Sequence, residues 1–483
     1  MKPQPPKDGK RQRFSIKVKK PAPKRSAEKW LILPLLAVMA GVGFVMLRPH
    51  FAAAGPESAR LLRDADVLLE RGDYKGALAK YDRALALKPD DESAYVKRGD
   101  ARLLAQDLTG AVLDYTAAIE HAPENVALFQ NRADAYRRTG ELLKAIADYD
   151  TVIEVESRNA TAHAHRGECL MSTGDVAGAL ADFNRAVALR PNDPNHLLRR
   201  GEARYKLGDY SAAIVDLSEV IRLDPPNAAA FKQRAHTRQR LGDYSGAIAD
   251  YTRAIRLDPT DFELLNSRGR VRILNGNVSS AIADFGKAIK LGADNTRARS
   301  NRADAKLAKG DMTGAVADYT AAIRLEPDNA EAYFARGCAY EEIGQLSAAI
   351  ADYNKVIKLR PDDAEAYCAR ADAKEATGDL SGAIADFNQV IRLKPGDPYA
   401  YCGRADTKAE GADLRGAIAD YNKTIELKPD YGYAYYGRGQ VRAVMGEFDA
   451  AIKDFRWIVD HSTDPKLVRT AGELLQLIQI ERR

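Results

Sequence analysis

Residues 330–363 read AEAYFARGCAYEEIGQLSAAIADYNKVIKLRPDD, and most of the 483-residue chain is this stretch again with substitutions. Sliding it by 34 residues in either direction returns the same skeleton. The alanine at 349 recurs at every 34th residue from Ala77 to Ala451, twelve times in register without an insertion. A fixed period of this length marks a solenoid, in which each unit buries its apolar face only against its neighbours.

Each unit reads as two helices. In the first half Ala332, Tyr333, Ala335, Ala339 and Tyr340 form a small-and-aromatic stripe at helical spacing. Gly344 follows where a helix C-terminus needs the left-handed conformation, and ten of the twelve units have Gly there; Gln106 and Ala412 depart. The next position is usually Asp, as in Asp209, Asp243 and Asp379, a short polar residue suited to a turn. The second half carries Ala349, Ile350, Tyr353, Val356 and Ile357 on one apolar face, and Pro361 lies just beyond its end.

This skeleton resembles the tetratricopeptide repeat. The family's small eighth residue is present as Gly99, Ala133 and Gly167, its alanine at the twentieth position throughout, and its aromatic at the twenty-fourth in all units but that of Leu217. Its proline at position 32 is missing only at Ser157, Ala293 and Thr463. The family's tryptophan at the fourth position is replaced by residues such as Tyr95, Phe129 and Leu197, and by Arg299. Counted this way, twelve repeats run from 58 to 465. The resemblance implies an all-α, right-handed superhelical solenoid of helix-turn-helix repeats whose first helices line a concave groove.

Around the repeats the chain divides as follows. Residues 1–29 carry eleven Lys and Arg against Asp8 and Glu28, with five prolines, and read as a basic disordered segment. Residues 30–47, WLILPLLAVMAGVGFVML, hold no charge and at about 1.5 Å per residue reach roughly 27 Å, the lower limit for a bilayer helix. The basic flank then predicts a single-pass signal anchor with a cytoplasmic N-terminus and the repeats on the far side, periplasmic in a bacterium. Residues 48–57 read as a tether. Residues 466–483, with Leu467, Val468, Ala471, Leu474, Leu475 and Ile478 on one face, read as a capping helix.

One recurring feature lies outside the family skeleton. Position 7 is Arg in eleven units, from Arg98 to Arg438, and position 23 is Asp in eleven, from Asp114 to Asp454. The two exceptions, Asp64 and Lys80, share a unit and exchange sign. A ladder of ion pairs within units follows, each exposed rung contributing about 0–1 kcal/mol.

The repeats leave no room for a catalytic domain, and no nucleotide-binding, nucleophile-elbow or zinc-protease string occurs. No catalytic, cofactor-binding or metal-ligating residues are expected. The four cysteines fit no zinc or redox spacing and read as small packing residues. The first halves of the repeats are net basic or neutral from repeat three to eight, and neutral to acidic from nine to eleven. By the resemblance, Arg199, Lys232, His236, Arg240, Arg270 and Arg297 then make a basic middle of the groove, and Phe334, Tyr399, Tyr433 and Tyr436 an aromatic C-terminal part. The Lys and Asn clamp of chaperone-tail receptors is not met: beside Lys232 at position 5 stands His236 at position 9, and the next unit offers Ser267. The expected function is a membrane-anchored scaffold or assembly factor that binds a protein or extended peptide in this groove. Two alternatives stand beside it, a binder of an anionic non-protein ligand such as nucleic acid or acidic polysaccharide, and a non-catalytic subunit of an envelope enzyme.

Overall fold

The computed structural model describes residues 48–292 and 295–481, and all regular structure among them is helical. Two compact units divide after Thr139. The first holds helices Arg48–Glu70, Tyr74–Leu87, Glu92–Leu104, Leu108–His121 and Val126–Thr139. The second continues the alternation of first and second helices from Leu142–Val155 to Phe448–His461 and closes with Pro465–Glu481. Residues 48–57, read above as a tether, are the start of the first helix.

The local chemistry explains why every unit breaks at the same places. Gly344 takes φ +75°, its N–H bonds Glu341 O at 2.8 Å, and the N–H of Gln345 bonds Tyr340 O at 2.8 Å, which closes the C-terminus of Ala330–Glu342. The Asp after this glycine does more than turn the chain. The side chains of Asp209, Asp243 and Asp379 accept a backbone N–H from the first turn of the second helix, so they are N-caps. Asn or Asp at the end of the unit, as in Asn329 and Asp363, caps the first helix in the same way, a role the sequence reading passed over.

Gln106 and Ala412 are forced into the same left-handed turn, both at φ 64°. A Cβ there is unfavourable by about 1–2 kcal/mol. Ala412→Gly is therefore expected to stabilise the second unit by about 1 kcal/mol after the extra freedom of the unfolded glycine is set against it. A thermal melt that left the variant below wild type would contradict this.

In most repeats the buried alanine at position 20 and an aromatic at position 24 press on the small residue at position 8, as in repeat nine. Ala349 and Tyr353 are fully buried, and a Cβ built on Gly337 would come within 2.6 Å of the Tyr353 ring. Pro465–Glu481 buries Leu467, Ala471 and Ile478 against Phe455 and Ile458, which covers the last repeat.

The predicted ladder forms, but in a different environment from the one expected. Arg336 Nε and Nη2 donate to the two oxygens of Asp352 at 2.8 and 2.7 Å, and its Nη1 reaches Thr320 of the preceding repeat at 2.9 Å. The same fork joins Arg98 to Asp114 in the first unit and recurs in the second from Arg166–Asp182 to Arg438–Asp454. The aspartates are buried, not exposed: Asp284 is 2% exposed and Asp352 5%. A second cation at position 11 bonds the same carboxylate, as Arg272 does to Asp284 at 2.7 Å and Lys408 to Asp420 at 2.7 Å. For Asp318, burial pushes the carboxyl up, but Arg302 and Lys306 together outweigh it and hold it below the ordinary range. The sign-exchanged rung is not built. Asp64 lies 4.0 Å from Arg60, and no ion pair joins it to Lys80 among the described residues.

The expected single-pass membrane placement also fails. Among the described residues no helix is long and apolar enough to cross a membrane, and residues 30–47, on which that reading stood, lie outside the described residues, as do 1–29. The anchor and the far-side location are withdrawn.

Candidate functional site

Within the second unit each helix packs on the helices before and after it in the chain. Several first helices also touch the next first helix, as Ala364–Ala376 touches Ala330–Glu342 and Pro398–Glu410, while neighbouring second helices make no comparable contact. The first helices therefore crowd along one side of this unit. Residues at positions 2, 9, 12 and 13 that neither the ladder nor the core takes up, with some at position 5 such as Lys232, are left to that side.

The basic stretch comes from repeats six and seven, residues 228–295. Lys232 is half exposed and reaches Asp261 only at 3.5 Å. His236 stands one turn further along the same helix, its ring edge-on to Tyr251 with centroids 5.6 Å apart. Burial first, then the charges of Lys232 and Arg270, lower its proton affinity. Arg270 is exposed, and Arg240 is exposed with Nε 3.2 Å from the Tyr210 hydroxyl and its guanidinium over that ring. The other two predicted cations differ. Arg199 is engaged on both sides, by Glu168 and Glu202 at 3.0 Å each, so it offers little free charge. Arg297 sits apart, 3.7 Å from Glu263, at the edge of a cleft of about 410 Å³ lined also by Asn301, Asp304, Tyr319 and Glu331.

The aromatic group splits in the same way. Phe334 packs on Tyr353 and Tyr436 on Phe455, so both belong to the core rather than to a free surface. Tyr399 and Tyr433 are each 52% exposed and flank Tyr431. Lys428 lies over Tyr399 and Tyr431 and donates to the Tyr399 hydroxyl at 2.7 Å.

The neutral-to-acidic trend expected of repeats nine to eleven has its source in one acidic stretch, whose residues the net charge per helix does not single out. Glu341, Asp372, Glu375 and Asp406 stand at positions 9 and 12 of repeats nine to eleven, 330–431, where the ladder cations of the same helices cancel them in a sum. Grouping residues by position within the repeat would have found them. Burial, then the nearby Glu341 and Asp406, push the Asp372 carboxyl up to about 6, although it stays open to solvent. Burial, then Asp406, Asp372 and Glu410, push Glu375 up to about 7. Burial also raises the thiols of Cys368 and Cys402 beside them to about 12, which keeps both protonated and unreactive.

The raised carboxyls carry a sign that can be checked. Folded, they hold protons to higher pH than the unfolded chain, so stability falls as pH rises from the ordinary carboxylate range through about 7. Asp372→Asn with Glu375→Gln is expected to shrink the drop in melting temperature between about pH 5.5 and 8. An unchanged drop would show that the two groups do not feel each other.

Models of the tetratricopeptide repeat match residues 131–194, 334–398 and 402–464, and related repeat models match 65–106, 197–226, 228–261 and 303–344. The chain belongs to the tetratricopeptide repeat family. No curated protein matches the sequence of this tetratricopeptide repeat protein. Among solved structures it is similar to a tetratricopeptide repeat protein of Parabacteroides merdae, at 21% identity over 51% of this chain and 98% of that one, TM-score 0.41. The C-terminal part of a repeat protein of Cytophaga hutchinsonii matches at 22% identity over 49% and 97%, TM-score 0.45. Yeast Tom70 matches at 17% identity over 88% and 96%, TM-score 0.35.

Proposed function

We propose that this tetratricopeptide repeat protein is a non-catalytic scaffold that binds an extended, acidic segment of another protein along the inner face of its second unit. One observation carries the reading. Nearly every Arg at positions 7 and 11 of the second unit is tied to a buried Asp, whereas Arg270, Arg240 and, more loosely, Lys232 are left facing outward on adjacent first helices. Cations left free of the fold are available for a partner, and a positive stretch between crowded helices attracts and orients an acidic chain. Further along, Glu341, Asp372, Glu375 and Asp406 reverse the sign, so the same segment is expected to carry basic residues toward that end. The change of sign gives a bound segment one direction.

The test is Lys232→Glu, Arg240→Glu and Arg270→Glu combined, with circular dichroism to confirm the fold. These three side chains lie outside the ladder, so helicity is expected to be unchanged. Crosslinking to an acidic partner segment is expected to fall by at least about tenfold, since charge reversal turns three attractions into repulsions. Retention of the same crosslinks would overturn the proposal. A steep salt dependence shared by oligonucleotides and acidic peptides alike would favour an anionic non-protein ligand instead.

A further inference from the structure

Many of the tyrosines at position 24 share a bonding pattern. The phenol points from the second helix toward the inner face, where it meets a carboxylate from the first helix of its own repeat. Tyr81 donates to Asp66 at 2.7 Å, Tyr115 to Asp100 at 2.5 Å and Tyr421 to Asp406 at 2.5 Å. Tyr319 donates to Asp304, and Tyr353 finds Glu341 one turn further on at 2.8 Å. Repeat six departs from this. Its Tyr251 is fully buried, yet among the described residues its hydroxyl has no hydrogen-bond partner; Ser267 stands near it without reaching bonding geometry. Burial keeps the phenol protonated, so it remains a donor without an acceptor.

The reason is written in the sequence. Position 9, which supplies Asp66, Asp100, Asp304 and Asp406 in their repeats, is His236 in repeat six, and position 12 is Gln239. Around that position stand Lys232, His236 and, from the next repeat, Arg270. The unmet phenol therefore coincides with the basic stretch of repeats six and seven. An unmet buried donor weakens the free protein, and a ligand that supplies the acceptor recovers that loss on binding.

We propose that a carboxylate of the bound partner, from an Asp or Glu side chain or a chain terminus, docks between Lys232 and Arg270 and accepts the Tyr251 hydroxyl, in the place that Asp304 and Asp406 hold in their own repeats. Access requires the His236 ring to turn aside from the phenol. The inference rests on the basic inner face being the binding face, and it adds one anchoring contact and the chemistry that fills it. A carboxylate is favoured over a phosphate because Tyr81, Tyr115, Tyr319, Tyr353 and Tyr421 all give their hydroxyl to a carboxylate.

Two variants isolate the contact. Tyr251→Phe removes only the hydroxyl, and because that donor is unmet in the free protein, the fold is expected to melt no lower than wild type. His236→Asp builds the acceptor into the chain itself, as in repeats eight and eleven, and is expected to raise the melting temperature while closing the site; His236→Ala, which supplies no acceptor, is its control. Binding of a fluorescein-labelled hexaglutamate peptide to the full chain is read by anisotropy, with hexaglutamine and an oligothymidylate of about twelve residues as comparisons. Hexaglutamate is expected to bind wild type and His236→Ala alike, and about tenfold more weakly to Tyr251→Phe and to His236→Asp. Equal affinity for wild type and Tyr251→Phe would overturn this inference while leaving the basic face standing, provided the triple charge reversal still abolishes binding. No binding to wild type, or unchanged binding to the triple reversal, would instead remove the binding face itself. Oligothymidylate that binds as tightly as hexaglutamate and weakens equally in Tyr251→Phe would overturn the preference for a carboxylate.

Discussion

Asp284→Ala is expected to destabilise repeat seven by about 3–5 kcal/mol, the cost of breaking a buried ion pair by removing one partner. The carboxylate is 2% exposed and takes three charged hydrogen bonds, from Arg268 Nε at 2.8 Å, Arg268 Nη2 at 2.6 Å and Arg272 Nη1 at 2.7 Å. Arg268 is itself 8% exposed and also bonds Thr252 of the preceding repeat, so it cannot swing to water without opening the joint between repeats. Its charge would be left buried and unmatched. Replacing both members by apolar residues of similar size, Arg268→Met with Asp284→Leu, is expected to recover much of the loss, because the desolvation cost leaves with the charges. Hydrogen exchange is the suitable measurement, since a repeat array can open locally. Faster exchange confined to residues 262–291 and their neighbours is expected for Asp284→Ala, and protection close to wild type for the double variant. Unchanged exchange in the single variant would mean the ladder is as weak as exposed pairs are.

Phe285→Ala, one residue along, is expected to cost a similar amount, about 3–5 kcal/mol, by a different route. Phe285 is fully buried with Ala281 and Ala305, and the ring closes so tightly on the first helix that a Cβ on Gly269 would lie 2.5 Å from it. Gly269, Ala281 and Ala305 around the ring offer little bulk to fill the space, and Ile273, Val278 and Ile282 lie at its margin, so much of the cavity is expected to persist. Urea unfolding checks it: a loss below about 1 kcal/mol would show that the helices close over the gap. The pair separates the two sources of stability in a repeat. Salt should weaken neither strongly, because one is apolar and the other is shielded from counterions.

Much of this fold could be read from residues 330–363 alone. The helix pair, the left-handed turn at Gly344, the packing of Ala349 and Tyr353 on Gly337 and the Arg336–Asp352 pair all follow from spacing and residue type. Burial of the ladder could not be read, because charge type says nothing about depth. It becomes visible only when the second cation, at position 11, is seen to share the carboxylate of Asp284 or Asp420. The candidate site was legible in part. Lys232, Arg240 and Arg270 lie outside the ladder, although Lys232 is 3.5 Å from Asp261 and Arg240 rests on Tyr210, while Arg199 is neutralised by Glu168 and Glu202, and Phe334 and Tyr436 pack into the core. Those differences depend on neighbours one repeat away, which a single repeat's pattern does not display. The acidic trend of repeats nine to eleven was legible, but not its residues around Glu375, because charge was summed along helices whose cations point elsewhere.

The most direct test of the binding face is a photo-crosslinking residue placed at Gln239, on the inner face of repeat six, and in a second variant at Val215, 66% exposed on a second helix. After capture, the crosslinked peptide is sequenced by mass spectrometry. An acidic partner segment joined at Gln239 and absent at Val215 is the predicted result. The same segment joined at Val215 and not at Gln239 would place binding on the opposite side of the helices and contradict the account.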